Sequence, residues 1–248
     1  MNHVKLIASV LDAYAWIRPQ EDGFLIGTHC LFPGGDAVCV KVMVSPSGYC
    51  VTDDGLGWSA LLDAGIDPSH SQARRAHAVA DELGLTFAHG TFIADEVDQG
   101  QVGAAIVTVA NASQRWVHEV IGEQQRRTER DLRRRIFEYL GAFFPVSAIS
   151  ADTLVAGEST KRYQVAQTVK LGDRMLLVEP VINQPNSIAA VFMKFADISR
   201  AQPDWPREAV IQDIGRWKSE DVNVLSEVSS GVVDIETALE PIRRKYAA

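Results

Sequence analysis

Thr52-Asp53-Asp54-Gly55 joins a strand to a helix and fixes the layout of the first third of the chain. Three short segments rich in β-branched and aromatic residues lead up to it, at residues 24–32, 37–44 and 49–52. The stretches between them are rich in Pro, Gly and Ser, which favour turns. This pattern predicts a three-stranded antiparallel meander that runs directly into a helix.

The two aspartates of this stretch have two possible roles. Adjacent carboxylates before a turn can offer oxygens to Mg²⁺ or Ca²⁺. However, no further acids follow at the spacing of a metal-binding loop. Either carboxylate could instead accept backbone N–H groups of a helix that begins near Leu56, with Gly55 supplying a positive φ. We therefore expect capping, worth about 1–2 kcal/mol for each lost cap.

Periodicity predicts the other elements of the first half. Apolar spacing predicts an opening helix that Pro19 ends, two helices after Gly55, a hairpin around His89-Gly90, and a long helix that breaks at Gly122. Their predicted spans are residues 4–16, 58–65, 69–84, 85–94 and 102–121.

A polar stretch at residues 122–128 separates this half from the rest. We predict an N-terminal domain over residues 1–122, a basic connecting helix over 123–145 and a C-terminal domain over 146–248. In the C-terminal part the order is helix, three strands, helix, strand, helix, strand. The predicted spans are residues 132–144, 147–154, 162–171, 174–182, 186–198, 209–214, 219–228 and 231–235.

Composition limits the cellular setting. The chain has 248 residues, 46% of them hydrophobic, and a formal charge of −8, which opposes generic binding to a polyanion. No segment predicts a signal peptide or a membrane span. Cys30, Cys39 and Cys50 form no C-x-x-C pair and are predicted to be buried free thiols. A cytoplasmic protein is expected.

The N-terminal half resembles an uncharacterised bacterial and phage family, the domain of unknown function numbered eighteen twenty-eight. The matching residues are Gly23-Phe24-Leu25, Tyr49-Cys50-Val51-Thr52-Asp53-Asp54-Gly55, Gly84-Leu85-Thr86-Phe87, Thr91-Phe92-Ile93 and the long helix after them. The C-terminal half looks like the domain often fused to that family. The resemblance implies no known reaction, but it suggests a mobile-element or defence-conflict setting.

The C-terminal order also resembles the core of PD-(D/E)xK nucleases. The fold class expected is thus α+β, with an N-terminal meander and a C-terminal three-layer, restriction-endonuclease-like mixed sheet. In those enzymes an Asp on one strand and a Glu-x-Lys on the next hold Mg²⁺ and activate water. Here Glu179 fits, but Val181 stands at the lysine position and residues 163–170 contain no acid. The resemblance therefore implies a degenerate nuclease core.

An alternative catalytic set remains open. Glu179, Asp197 and Asp213 lie at or near the ends of predicted strands and helices, so they could converge on one edge of the sheet. Such a set would make the protein a Mg²⁺-dependent nuclease with a non-standard carboxylate site. Otherwise, no metal or cofactor is expected.

Residues 126–135 form the one concentrated basic stretch. Its arginines could track phosphates or meet an acidic protein partner, although interleaved acids also favour ordinary pairing on a solvated helix. The candidate partner-binding residues are Arg126, Arg127, Arg130, Arg133, Arg134 and Arg135.

The leading hypothesis is a non-enzymatic interaction protein of bacterial or phage origin, whose degenerate nuclease-like domain binds a protein or nucleic-acid partner. Nucleic acid would be bound through this local basic patch. No membrane contact is expected. A homodimer is a further hypothesis, with the apolar helix face at residues 102–121 as its seam.

Overall fold

The computed structural model describes residues 16–247, which form two compact units, one ending at Gln124 and the other beginning at Gln125. The predicted opening helix lies outside the described residues except for Trp16. That residue begins a strand instead, so Pro19 belongs to a strand and does not end a helix there.

The N-terminal unit contains a six-stranded antiparallel sheet of order β1-β2-β3-β4-β6-β5. Its strands are β1 Trp16–Gln20, β2 Gly23–Leu31, β3 Ala37–Ser45, β4 Gly48–Thr52, β5 Thr86–Ala88 and β6 Thr91–Val97. Helices α1 Leu56–Asp63 and α2 His70–Leu83 lie between β4 and β5, and α3 Val102–Phe143 follows β6. The predicted meander and hairpin are confirmed, and Gly84 ends α2 at a φ of 69°.

One face of this sheet forms the core of the N-terminal unit. Alternate residues of β3, Val38, Val40 and Val42, are buried against the helices because side chains along a strand alternate between faces. The first half of α3 packs into the same core with Val109 and Trp116 fully buried. That apolar face is therefore filled from within the unit and does not provide the predicted homodimer seam.

The long helix was predicted to break at Gly122, and this prediction is wrong. Helix α3 runs without interruption from Val102 to Phe143. A glycine inside a helix costs only about 1 kcal/mol, and the polar residues after it remain at the surface. Of the helices in residues 16–247, none is long and apolar enough to cross a membrane.

The C-terminal unit contains a five-stranded mixed sheet of order β11-β10-β9-β8-β7. Its elements after α3 are β7 Ile149–Ala156, β8 Arg162–Leu171, β9 Arg174–Pro180, α4 Pro185–Ala201, β10 Arg207–Ile211, α5 Ser219–Val228, β11 Gly231–Asp234 and α6 Glu240–Tyr246. Strands β9, β10 and β11 are parallel, whereas β8 is antiparallel to both of its neighbours. The predicted order is confirmed, and α6 is an addition.

Helices cover both faces of this sheet, so the C-terminal unit has three layers. Leu176 and Val178 of β9 pack with residues of α3 and α6, while Leu177 between them packs with residues of α4 and α5. Leu132 and Ile136 of α3 are buried in the first of these cores. The second half of α3 is therefore part of this unit and not a separate connecting helix.

The three cysteines differ from prediction in one respect. Cys30, Cys39 and Cys50 are free, but they are only half-buried. Burial raises the pKa of Cys39 and of Cys50, which keeps both thiols in the less reactive protonated form.

Candidate functional site

Asp53 is a structural residue, and it does more than cap a helix. Its carboxylate is fully buried and accepts hydrogen bonds from the backbone N–H groups of Gly55 and Gly57, at 3.4 and 3.3 Å, which confirms the predicted cap of α1. It also accepts from the backbone N–H of Phe92 at 2.9 Å and from Ser113 Oγ at 2.7 Å. One carboxylate thus ties together β4, α1, β6 and α3.

Asp54, by contrast, is exposed and does not cap the helix. Its Oδ2 lies 3.9 Å from Lys41 Nζ, and Lys41 makes a closer pair with Asp22 at 2.6 Å. Its φ of 50° places it in the left-handed region, where Asp is better tolerated than most residues. The two aspartates therefore do not share a cation.

Glu179 lies near the end of β9 with 3% of its surface exposed. Its Oε1 accepts from the backbone N–H of Ala166 at 2.8 Å and from Lys194 Nζ at 2.7 Å. Burial raises the pKa of Glu179, and the ammonium of Lys194 opposes that effect. The sequence places Val181 at the motif's lysine position, but the structure brings a lysine to this carboxylate from α4.

Asp197 also lies on α4, but it serves a different purpose. Its carboxylate accepts from the hydroxyl and the backbone N–H of Ser159, in the turn between β7 and β8. These hydrogen bonds hold the pKa of Asp197 below its usual range. The same carboxylate also occupies the space that a Cβ atom on Gly157 would need. Asp197 therefore fixes the β7–β8 turn against the helix.

Asp213 follows β10 with a φ of 53°. Its Oδ2 lies 2.8 Å from Nε of the exposed Arg216, and its backbone N–H donates to Asp234 Oδ1 at 3.3 Å. Glu179, Asp197 and Asp213 thus have three different sets of partners. Within the part of the chain from residue 16 to 247, no three His, Cys, Asp or Glu residues are arranged to hold a metal ion.

Glu208 is a buried carboxylate that the sequence did not single out. It lies on β10 with no exposed surface, and its Oε1 accepts from Tyr246 Oη at 2.7 Å and from Lys245 Nζ at 3.1 Å. Burial raises the pKa of Tyr246, and the hydrogen bond to Glu208 adds to this effect. The hydrogen bonds that Tyr246 and Lys245 donate to Glu208 anchor α6 to the sheet.

A cleft opens where β9 and β10 end, with a volume of about 360 Å³. Residues following parallel strands at their carboxyl ends commonly form ligand sites in α/β sheets. The lining combines apolar and polar side chains, among them Leu132, Val181, Asn183, Gln212, Asp213 and Trp217. Asn183 donates to the backbone carbonyl of Arg216, and Trp217 donates to that of Gln212, so the walls are held by internal bonds.

The six candidate arginines of α3 fall into two groups. Arg133 pairs with Glu129 and Asp152, and Arg135 pairs with Glu236 at 3.1 Å. Both are half-buried, and these ion pairs hold them within their own unit. Arg127 is exposed and has an interaction partner.

The other group forms a row along the exposed face of α3. Arg126 and Arg130 are exposed. Neither side chain makes a hydrogen bond or an ion pair with any residue between 16 and 247. Arg134 is exposed, and among the described residues its one ion pair is a 3.4 Å contact with Asp131. Phe137 continues the row with 41% of its surface exposed. We call Arg126, Arg130, Arg134 and Phe137 the arginine row.

Comparison with protein-family models, with curated proteins and with solved structures gives no match for this chain. The family resemblance of the N-terminal half therefore stays a prediction. The site must be interpreted from its own geometry.

Proposed function

We propose that this protein acts by binding a protein partner and is not an enzyme, and that the arginine row of α3 is its contact surface. The family resemblance suggests a bacterial or phage origin, in a mobile element or a defence system, and the sequence predicts a cytoplasmic setting. The unpaired state of Arg126 and Arg130 within residues 16–247 is the observation that carries the proposal.

The spacing of the row supports a single contact. Its members are separated by four, four and three residues, so they lie on one side of the helix. At 1.5 Å per residue the row extends over about 16 Å, which matches one short segment or one helix face of a partner. Arginine and aromatic residues are enriched at protein interfaces.

The surroundings of the row favour a protein over a nucleic acid. Glu129, Asp131 and Glu138 lie on the same stretch of helix and would repel a phosphate backbone. Two of the remaining arginines are already held by acids of their own unit. A protein partner can place acidic side chains opposite the free guanidinium groups and an apolar side chain opposite Phe137.

The environment of Glu179 argues against a phosphodiesterase. A Mg²⁺ site of the nuclease type needs a second carboxylate beside the first. Glu179 Oε1 instead accepts hydrogen bonds from the backbone N–H of Ala166 on β8 and from Lys194 Nζ. Neither donor is a carboxylate. Asp197 and Asp213 are engaged elsewhere. The residues at Glu179 therefore do not fit the metal.

The test is affinity capture from the native host with the full chain, followed by binding measurements with the purified partner. Arg126→Glu combined with Arg130→Glu should weaken binding by about 30–1,000-fold, because two interface arginines worth about 1–2 kcal/mol each contribute about 2–4 kcal/mol together. Arg162→Glu, an exposed arginine of β8, is the matched control and should bind like the unaltered protein.

Two outcomes would count against the proposal. A captured partner that binds the double variant as tightly as the unaltered protein would place the contact elsewhere. Binding of single- or double-stranded oligonucleotides that is lost in the same double variant would identify a nucleic-acid surface instead.

The alternative function is a metal-dependent nuclease, and one observation favours it. The Glu179 carboxylate and the Lys194 ammonium are 2.7 Å apart, so a lysine missing from the motif is present in space. Incubation of the full chain with DNA and RNA in Mg²⁺ or Mn²⁺ separates the two functions. Cleavage that Glu179→Ala abolishes would overturn the binding-only proposal.

A further inference from the structure

The N-terminal unit has a groove of its own, with a volume of about 350 Å³. It lies between the turn that follows β2, helix α1, and the first half of α3. Its apolar surface comes from side chains of all three elements, including Phe32, Leu56, Val117 and Ile121. Phe32 and Val117 are buried, so the groove reaches down to the core of the unit.

Two carboxylates line this groove. Asp36 belongs to the turn between β2 and β3, and Asp63 is the last residue of α1. Both are exposed, and neither side chain has a hydrogen bond or a cationic partner in the described stretch from 16 to 247. Some other exposed carboxylates of the unit do have a cationic partner, as Asp22 has in Lys41 and Glu82 in Arg115.

The charge of the whole unit strengthens the field at these walls. Residues 1–124 contain six Lys or Arg against fifteen Asp or Glu, whereas residues 125–248 contain eighteen against seventeen. The net charge of −8 therefore comes from the N-terminal unit. Like-signed charge around a concave surface attracts ligands of the opposite sign and excludes anionic ones.

We propose that this groove binds a segment of a protein partner in which a large apolar side chain is flanked by Lys or Arg. The apolar side chain packs against Phe32, Leu56 and Ile121, and the flanking cations pair with Asp36 and Asp63. The volume suits one or two large side chains, which is the anchor arrangement of a helix or peptide in a groove. The exposed walls leave room for the partner's backbone outside.

This binding site is separate from the arginine row, because its residues belong to the N-terminal unit and the row lies on residues 126–137. The two surfaces have opposite charge preferences, so the groove takes a basic segment and the row an acidic one. Failure of one proposal leaves the other standing.

The experiment uses the full chain and a labelled twelve-residue Leu/Lys peptide of helical periodicity, with fluorescence anisotropy as the readout. Two peptides serve as controls, one with Glu in place of every Lys and one with Ser in place of every Leu. We expect a dissociation constant of about 10–100 μM for the Leu/Lys peptide at low salt, and at least about 10-fold weaker binding of either control.

The variants locate the contact. Asp36→Asn combined with Asp63→Asn should weaken binding of the Leu/Lys peptide by about 10-fold or more. Asp81→Asn combined with Asp98→Asn removes the same charge from exposed positions outside the groove and should change binding less than about 2-fold. Hydrogen exchange of residues 56–64 should slow when the peptide is bound.

Three results would overturn the inference. Equal weakening in both double variants would show a general charge effect. Equal binding of the Lys/Ser peptide would show that the apolar floor has no role. Absence of binding at peptide concentrations of about 1 mM would show that the groove is not a site for such segments.

Discussion

Replacement of Asp53 by Ala tests the structural role of the buried carboxylate directly. The substitution removes the acceptor of two short hydrogen bonds, from Ser113 Oγ at 2.7 Å and Phe92 N at 2.9 Å, and of two longer ones from Gly55 and Gly57. The donors of Gly57, Phe92 and Ser113 are buried, and the substitution deprives them of this acceptor. We expect a loss of stability and no change in the chemistry of any ligand site.

The magnitude follows from the number of donors left unpaired. Each buried unsatisfied donor costs about 1–3 kcal/mol, and the helix cap contributes about 1 kcal/mol more. The sum for Phe92, Ser113 and the cap is about 3–7 kcal/mol, a large part of the roughly 5–15 kcal/mol that stabilises a typical domain. Ser113→Ala alone should cost about 1–2 kcal/mol, because the carboxylate keeps its backbone donors.

The assay is native-state hydrogen exchange by mass spectrometry on the full chain, because it reports each unit separately. Peptides from β6 and α1 should lose protection in Asp53→Ala, while peptides from β9 in the other unit should not change. The loss in free energy of unfolding in the Asp53→Ala, Ser113→Ala double variant should be about 1–2 kcal/mol smaller than the sum of the losses in the two single variants, because the two residues share one hydrogen bond.

Asp54→Asn is the matched control, since its side chain is 61% exposed and Asn also accepts a positive φ. It should change the free energy of unfolding by no more than about 0.5 kcal/mol. The reasoning is refuted if Asp53→Ala costs less than about 1 kcal/mol, or if the control costs as much as Asp53→Ala.

Three further predictions concern the C-terminal unit. Lys194→Met should lower the free energy of unfolding, measured in urea, by about 3 kcal/mol, because Glu179 stays buried without its cation. Adding Glu179→Gln should restore part of this loss. Additive effects of the two substitutions would contradict the pairing. The lowered pKa of Asp197 means that its contribution to stability is complete above the ordinary aspartate pKa of about 3.9 and disappears as the pH falls through the lower folded value. The stability difference between the unaltered protein and Asp197→Asn should therefore shrink across that window, and a constant difference would exclude the role. Tyr246→Phe should lower the local stability of α6 by about 1–3 kcal/mol and speed its hydrogen exchange accordingly, because Glu208 loses its closest donor. Unchanged exchange would show that α6 is held by its apolar residues alone.

The sequence was a good guide wherever an element has a clear period and a clear end. The span of α5, residues 219–228, was predicted correctly, and the two strands of the β8–β9 hairpin were predicted at residues 162–171 and 174–182. Gly84 likewise marks the end of α2 because its left-handed conformation is one that glycine adopts without strain. These features are local, so a window of a few residues contains the information.

The same reasoning did not predict the edge strand β1 or the short helix α6. Pro19 was interpreted as the end of a helix, but it lies on β1, an edge strand, where the missing N–H can face away from the sheet. Helix α6 has seven residues, too few to show a helical period. The polar stretch after Gly122 was interpreted as a break, although a solvated helix needs no apolar stripe.

The candidate site could be predicted only in part, because its bonds join residues that are distant in sequence. The capping role of Asp53 was predictable from its neighbours, but its bond to Ser113 spans 60 residues. Lys194 was missed because it reaches Glu179 from a helix and not from the motif position on the strand. No spacing rule within one sequence would have found that pair or the burial of Glu208.

The contact between Asp197 and the β7–β8 turn has a consequence for how this chain can vary. Position 157 excludes every side chain although its backbone does not require glycine, because the carboxylate of a residue 40 positions later fills that space. A larger residue at 157 becomes acceptable only when position 197 is also shortened. In any set of homologous sequences these two positions should covary, with glycine present wherever the acid is retained.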